Sequence, residues 1–410
     1  MKKNKIIFYF YNSLFDPLIE SNILLYIEEL LKTEDGNFQI AIVSHEDNIS
    51  NLNNQKLAYY EQLFKETNLT WIKLKRNVGA SFKNKIKDLF FGFFTLLKLR
   101  TKGYFKLCSL DSIAGSMCYL YSLLLRFDLY LYQYEPHSEF ALEAHIWEEN
   151  SKQYKIAKFL EKKATSFAKV ISSGTEAMIE TLKKEKKKAF FFKITSVVNE
   201  SKFDFNEEYR REIRQKLKIA EGKKVIIYPG KFGDLYYDEE IIELYSIISK
   251  NIENTFFIIL SFSDNKKIRD LLRKYLISPD NYYLGQIPYE DMPKFLSASD
   301  FGINGIPPTP AQRYRSPIKT GEFLCCGIPY IVCKGISEDD IVAEKENVGV
   351  VVENFSENEV LNAIPQIKSF FEEDKTTLRR RSRVAGIAYR GFEKNYLEFK
   401  KAISKLMESK

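Results

Sequence analysis

Lys319 and Glu322 stand three residues apart, a spacing that puts an ammonium and a carboxylate on one face of a helix. The stretch around them, residues 315–333, reads R-S-P-I-K-T-G-E-F-L-C-C-G-I-P-Y-I-V-C. Ser316 suits the N-cap, and Pro317 suits the first helical position, where its missing N–H costs nothing. Gly327 is placed for the left-handed turn that ends a helix, and Pro329 forbids continuation. A capped start of this kind presents N–H groups and the positive end of a dipole to an anion. Lys319 adds a full charge there, which the dipole disfavours unless an anion is also present. From Ser316 to Glu322 the helix rises roughly 9 Å, close to the reach from a diphosphate to the ribose of one nucleotide. A carboxylate at that point can accept from two ribose hydroxyls. The plainer alternative is a capped helix whose Lys319 and Glu322 form a solvated pair, and this stretch alone leaves both readings open.

The elements that must carry these residues are legible as short apolar runs alternating with helical stretches. Strands are expected at residues 6–11, 39–44, 70–74, 105–109, 128–134 and 170–173. After an irregular polar passage at 196–205 the alternation restarts, with strands at 224–228, 255–261, 282–284, 301–304 and 328–333. An amphipathic helix is expected over about 18–32, and the tail 379–410 reads as helix. Such alternation means open parallel sheets with helices on both faces, and ligands bind them at the carboxyl ends of the strands. The chain of 410 residues is long enough for two such halves. Their expected bounds are 1–198 and 199–384, with a cleft between the sheet edges and a C-terminal helix over about 385–410 packed back on the first half.

Composition narrows the chemistry. The chain is 45% hydrophobic with a formal net charge of +7, a basic tilt compatible with phosphorylated ligands or an anionic membrane surface. Five cysteines sit in apolar runs without metal or disulfide spacing, and three histidines are too scattered for a zinc site. A reduced, cytoplasmic chain is therefore expected, without a metal or other cofactor. The apolar run after the basic start lasts only six residues before Asn12, too short for a signal sequence. No stretch reaches the roughly 18 uninterrupted apolar residues of a spanning helix. Residues 83–102, K-N-K-I-K-D-L-F-F-G-F-F-T-L-L-K-L-R-T-K, are apolar in the middle and basic at the flanks. They suit a helix lying in a membrane interface, with a buried domain helix as the alternative. The lysine run at 183–188 adds attraction to anionic lipid, or is simply a solvated face.

Four stretches together resemble the GT-B glycosyltransferases of the family-four type, which are retaining and use nucleotide sugars. Residues 316–329, S-P-I-K-T-G-E-F-L-C-C-G-I-P, are similar to the donor-site helix of a subgroup acting in surface-polysaccharide assembly. Residues 228–237, Y-P-G-K-F-G-D-L-Y-Y, resemble the glycine-rich loop that opens the donor domain. Residues 297–303, S-A-S-D-F-G-I, look like the segment before the donor loop, and 133–138, Q-Y-E-P-H-S, like an acceptor-side loop.

The resemblance implies two Rossmann-like domains and transfer of a sugar from a nucleoside diphosphate to a lipid-linked or glycan acceptor. It implies no metal, no nucleic-acid partner, and a cytoplasmic location with peripheral contact at the membrane's inner face. Donor binding is expected from Gly230, Lys231, Gly233, Gln286, Ile287, Arg315, Ser316, Pro317, Ile318, Lys319 and Glu322. Gly230 and Gly233 would let backbone N–H groups meet phosphate oxygens, though a simple turn explains the loop as well. Lys319, Lys231 and His137 are the expected catalytic groups, and Asn12, Ser13, Glu135 and His137 the acceptor side. Two departures stand out. Many relatives place a glutamate that touches the donor sugar where this chain has Tyr314, so sugar contacts are expected from the loop 305–315, with Arg313 and Arg315. Ile318 replaces a usual threonine, removing one hydroxyl from the phosphate site. A sugar-nucleotide epimerase, a phosphorylase or a non-catalytic transferase-like subunit is the alternative.

Overall fold

Ile6, Ile7, Phe8, Tyr9 and Phe10 are all buried, as a strand covered by helices on both faces must be. The computed structural model describes residues 4–16, 19–33, 37–46, 54–67, 69–77, 82–185 and 188–409. The chain divides into two units, Met1–Ile194 with Asn395–Lys410, and Thr195–Lys394.

The first unit holds β1 (Asn4–Phe10), β2 (Phe38–Glu46), β3 (Leu69–Lys75), β4 (Lys106–Leu110), β5 (Asp128–Gln133), β6 (Val170–Ser173) and β7 (Phe190–Lys193). They form one parallel sheet in the order β3-β2-β1-β4-β5-β6-β7. The second holds β8 (Lys224–Pro229), β9 (Thr255–Leu260), β10 (Tyr282–Gly285), β11 (Phe301–Ile303), β12 (Tyr330–Cys333) and β13 (Gly349–Val352). Its parallel order is β10-β9-β8-β11-β12-β13. In each sheet the strand order reverses once, between β1 and β4 and between β8 and β11. At these points neighbouring crossovers leave in opposite directions and open a crevice at the carboxyl edge.

Two strands escaped the sequence reading, β7 and β13. Both are four-residue edge strands, too short for periodicity to separate from a loop. The expected amphipathic helix begins as a π-helical turn, Ile19–Ile23, before regular Leu24–Thr33. The tail is two helices, Lys375–Arg390 and Phe392–Glu408, parted at Gly391, whose N–H still bonds the Ile387 carbonyl. The second helix buries Tyr396, Phe399, Ile403 and Leu406 on one face. Phe399 stacks 5.1 Å from Tyr26 and 6.3 Å from Phe8, inside the first unit.

In the second unit, helix Ile318–Cys325 ends as its sequence implies. Gly327 has φ 74° and bonds Leu324, while the Ile328 N–H bonds Phe323, which satisfies two carbonyls of the last turn. This helix packs against Lys375–Arg390 so closely that a methyl on Gly386 would lie 2.7 Å from Leu324 Cβ and 2.9 Å from the Cys325 backbone nitrogen. Alanine recovers about 0.5–1 kcal/mol of helix propensity, but overpacking against backbone costs about 1–3 kcal/mol. Gly386→Ala should therefore lower the urea midpoint; an unchanged or raised midpoint would contradict the close crossing.

Candidate functional site

Beneath helix Ile318–Cys325 lies a buried polar network. Asp339 accepts from Thr320 Oγ1 at 2.7 Å, Asn304 Nδ2 at 3.1 Å, Tyr389 OH at 3.0 Å and Arg390 Nη2 at 2.8 Å. Asp339 and Arg390 are both fully buried, so losing either would strand the other's charge. The Arg390 guanidinium also donates to Ser316 Oγ. This overturns the capping role expected of Ser316. Pro317 occupies the N-cap position with no side-chain cap, while the Ser316 hydroxyl holds Arg390 and accepts from the Ser196 N–H at 3.1 Å. The serine anchors the helix start to the network, and Ile318 opens the first turn half-buried against the core.

Lys319 rises from that first turn. Its ammonium nitrogen is buried, although its stem is partly exposed, and it has no hydrogen-bond partner among the described residues. It lies 4.4 Å from the Tyr236 ring centre and 5.6 Å from that of Tyr228. Burial pulls its pKa down to about 8, the nearby charge of Lys231 adds to the lowering, and Glu322 opposes it. Lys231 itself is exposed. A buried cation without a partner is costly, and it is the local condition that an incoming anion relieves.

Glu322 does not pair with that cation. The residue is 3% exposed, and its Oε1 accepts from Tyr289 OH at 2.6 Å. Burial pushes its pKa up to about 7 against the lowering influences of Tyr289 and Lys319. The solvated Lys–Glu pair considered from sequence is therefore absent: both charges are buried, and each faces tyrosine rather than the other.

The loop after β8 works differently from its expected part. The Gly230 N–H bonds the Leu260 carbonyl at 2.9 Å, Phe232 N–H bonds Ser263 Oγ at 2.9 Å, and Gly233 N–H bonds the Tyr237 carbonyl at 3.3 Å. These amides extend the sheet and close the turn, so they are not phosphate donors. The glycines serve otherwise. A methyl on Gly230 would sit 2.8 Å from Lys319 Nζ, and Gly233 takes φ 82°. Gly230 leaves room for the lysine head.

Gln286 is exposed and Ile287 half-buried just beyond β10, whose carboxyl end lies at the same sheet edge as that of β8. Residues Pro310–Tyr314 form a short 3-10 turn rather than an irregular loop, with Arg313 exposed and Tyr314 and Arg315 half-buried. Thr320, Asn304, Asp339, Tyr236, Tyr289 and Arg390 were not singled out from sequence. Thr320 and Tyr236 lie inside the recognised helix and loop, but nothing local marks the others.

In the first unit, Asn12 and Ser13 follow β1. The Asn12 carbonyl accepts from the His45 N–H at 3.2 Å, and the Ser13 hydroxyl donates to Glu46. Ser13 thus shapes its loop instead of offering a free hydroxyl. Ser112 Oγ donates to the Glu135 carbonyl at 2.6 Å. His137 begins helix His137–Glu143, stacked 5.9 Å from Phe140 and edge-on to Trp147 at 5.3 Å. Burial, helped by Lys85, lowers its pKa, so the ring is neutral near pH 7. The carboxylate of Glu161 takes the Ser138 N–H at 3.0 Å, which already places an anion at that helix start. Nearby, His45 Nε2 meets Tyr9 OH at 2.7 Å, and Asp88 accepts from Tyr11 OH at 2.6 Å. His45, dismissed in sequence as scattered, is fully buried with its pKa lowered to about 4, mainly by burial.

Residues 209–383 match the family described as Glycosyl transferases group 1. The chain has the GT-B fold, and its second unit carries a group 1 glycosyl transferase domain. Its fold is similar along nearly the whole length to sucrose-phosphate synthase from Thermosynechococcus elongatus, with TM-score 0.72, 15% identity and coverage of 98% of this chain and 99% of that one. It is likewise similar to HepE from Anabaena in complex with UDP, at TM-score 0.68, 12% identity and 98% and 99% coverage. A third similar structure is WaaG, a glycosyltransferase involved in lipopolysaccharide biosynthesis, at TM-score 0.63, 14% identity and 97% and 98% coverage. No curated protein sequence matches the chain at a significant level.

Proposed function

We propose that this protein is a glycosyltransferase that moves a sugar from a nucleoside-diphosphate sugar, with retention and without a metal, to a lipid-linked or glycan acceptor in surface-polysaccharide assembly. The observation that carries the donor half is the buried ammonium of Lys319 at the start of a helix, without a hydrogen-bond partner among the described residues. As the glycosidic bond breaks, its electron pair stays on the diphosphate. Lys319, the exposed Lys231 and the helix dipole are suited to that developing charge. Glu322 is assigned to the ribose hydroxyls, Gln286 and Ile287 to the base, and Arg315 to the sugar end. UDP in the HepE structure supports a nucleotide donor, and the role of WaaG in lipopolysaccharide biosynthesis supports a glycolipid product. Neutral His137 is assigned to hydrogen bonding with the acceptor or reacting sugar.

A thermal-shift panel of nucleoside diphosphates tests the donor assignment. A ligand at 100 times its Kd stabilises by about 2.7 kcal/mol, so one base should stand out. If none raises the melting temperature, the assignment fails.

The acceptor half draws on helix Phe82–Thr101 in the first unit. Leu96 and Leu99 are buried in the unit, but Ile86, Phe90, Phe91 and Phe94 are 50%, 59%, 56% and 43% exposed. Ile86, Phe90 and Phe94 recur at four-residue spacing, flanked by exposed Lys85, Lys87, Lys98 and Lys102. An aromatic stripe with cationic ends suits the interface of an anionic bilayer. Among the described residues no helix is long and apolar enough to cross a membrane. Of the lysine run, residues 186 and 187 lie outside the described residues, while Lys183 and Lys184 end helix Glu176–Glu185.

Replacing Phe90 and Phe94 together by serine should forfeit roughly 2 kcal/mol of apolar transfer, roughly 30-fold in vesicle partitioning. The melting temperature should hold, because both rings are largely exposed. Equal flotation of variant and wild type on anionic vesicles would remove this helix from the membrane.

A further inference from the structure

Lys319 and Glu322 stand three residues apart on a helix, a spacing at which four other oppositely charged pairs among the described residues are in contact. Arg273–Asp270 at 2.9 Å, Lys294–Asp291 at 3.1 Å, Lys401–Glu398 at 2.6 Å and Lys405–Glu408 at 2.7 Å are all ion pairs three residues apart on or beside a helix. Lys405–Glu408 has the same order, lysine first. Those pairs form in solvent, where attraction is weak. Lys319 and Glu322 are buried, where the same attraction is several times stronger, yet Lys319 Nζ has no hydrogen-bond partner among the described residues. Something holds the two charges apart.

On one side, the ring faces of Tyr236 and Tyr228 draw the ammonium toward Gly230. On the other, Tyr289 OH donates to Glu322 Oε1 at 2.6 Å. Tyr289 comes from the turn that follows β10, after Pro288, and its ring packs 5.7 Å from Phe203. We propose that Tyr289 is a positioning residue: by holding the Glu322 carboxylate on its own hydroxyl, it prevents that carboxylate from neutralising Lys319 and keeps the ammonium available to the donor's diphosphate. The inference rests on the donor-site reading above. Without the hydroxyl, Glu322 is free to turn to Lys319 as its counterparts do in the four formed pairs. The site would then carry its own counter-ion, and an incoming diphosphate would have to displace it.

Inorganic pyrophosphate isolates this effect, since it has neither ribose nor base for Tyr289 or Glu322 to recognise. Calorimetry should show wild type binding pyrophosphate and Tyr289→Phe binding it roughly tenfold more weakly, the scale of one hydrogen bond to a charged group. Glu322→Gln should bind pyrophosphate at least as well as wild type. Adding Tyr289→Phe to Glu322→Gln should then change affinity less than about twofold, because no carboxylate remains to capture the lysine. A cooperative melting transition no lower than a few degrees below wild type confirms that each variant is folded; the phenylalanine ring keeps its packing on Phe203. Wild-type affinity in Tyr289→Phe overturns the proposal. An equal loss in both backgrounds overturns it as well, because Tyr289 would then act on the anion directly. If wild type binds neither pyrophosphate nor any nucleoside diphosphate, the donor-site reading itself falls.

Discussion

Lys319→Met is expected to abolish most sugar transfer while leaving the unliganded protein more stable than wild type. The lysine pKa is lowered from 10.5 to about 8, chiefly by burial. At about 1.4 kcal/mol per pKa unit, the charged form opposes folding by about 3 kcal/mol at neutral pH. Contacts with the faces of Tyr236 and Tyr228 return about 0.5–2 kcal/mol, so methionine should gain about 1–2 kcal/mol. The sign with pH is definite. Between about pH 8 and 10.5 the unfolded chain keeps a proton that the folded chain has released, so wild-type stability rises with pH there. The methionine variant lacks that rise, and the two should converge near pH 10 in urea midpoints. Turnover should fall at least tenfold, about 1.4 kcal/mol of barrier. Wild-type turnover, or a variant less stable at pH 7, would contradict the role of Lys319 as an unpaired cation held for a ligand.

Glu322→Gln should likewise separate stability from binding. Its pKa is raised from 4.5 to about 7, so the folded protein holds more protons than the unfolded chain across that window. Its contribution to stability therefore falls as pH rises from about 4.5 to 7, and the full cost is present above it. Glutamine keeps an acceptor for Tyr289 and carries no charge, so the variant should match wild type near pH 4.5 and exceed it at pH 8. Nucleoside diphosphates should nevertheless bind it less well, since each hydrogen bond from a ribose hydroxyl to a carboxylate is worth about 1.5–3 kcal/mol. A 2′-deoxy nucleoside diphosphate should bind wild type poorly and lose much less on mutation. The four combinations form a double-mutant cycle by calorimetry. Coupling near zero would detach Glu322 from the ribose.

How much of this was legible beforehand differs from residue to residue, for a physical reason. Apolar runs such as residues 6–11 and 224–228 are too short for helices and read as strands buried on both faces, so alternation with helices determined two parallel sheets and which edge carries the loops. The helix stop at Gly327 and the common face of Lys319 and Glu322 follow from local geometry. These properties depend on neighbours a few residues away, and a sequence displays such neighbours directly. What Lys319 and Glu322 do with that face does not follow from it. Tyr289 lies 33 residues before Glu322, and Arg390 lies 74 beyond Ser316. The first took Glu322 away from the lysine, and the second took the Ser316 hydroxyl away from the helix end. The loop amides of Gly230, Phe232 and Gly233 were likewise claimed by Leu260, Ser263 and Tyr237. Hydrogen-bonding groups must be satisfied once buried, and which partner satisfies each depends on what the fold brings beside it. The tertiary structure alone decided that the Lys319 ammonium would be buried and left without one among the described residues.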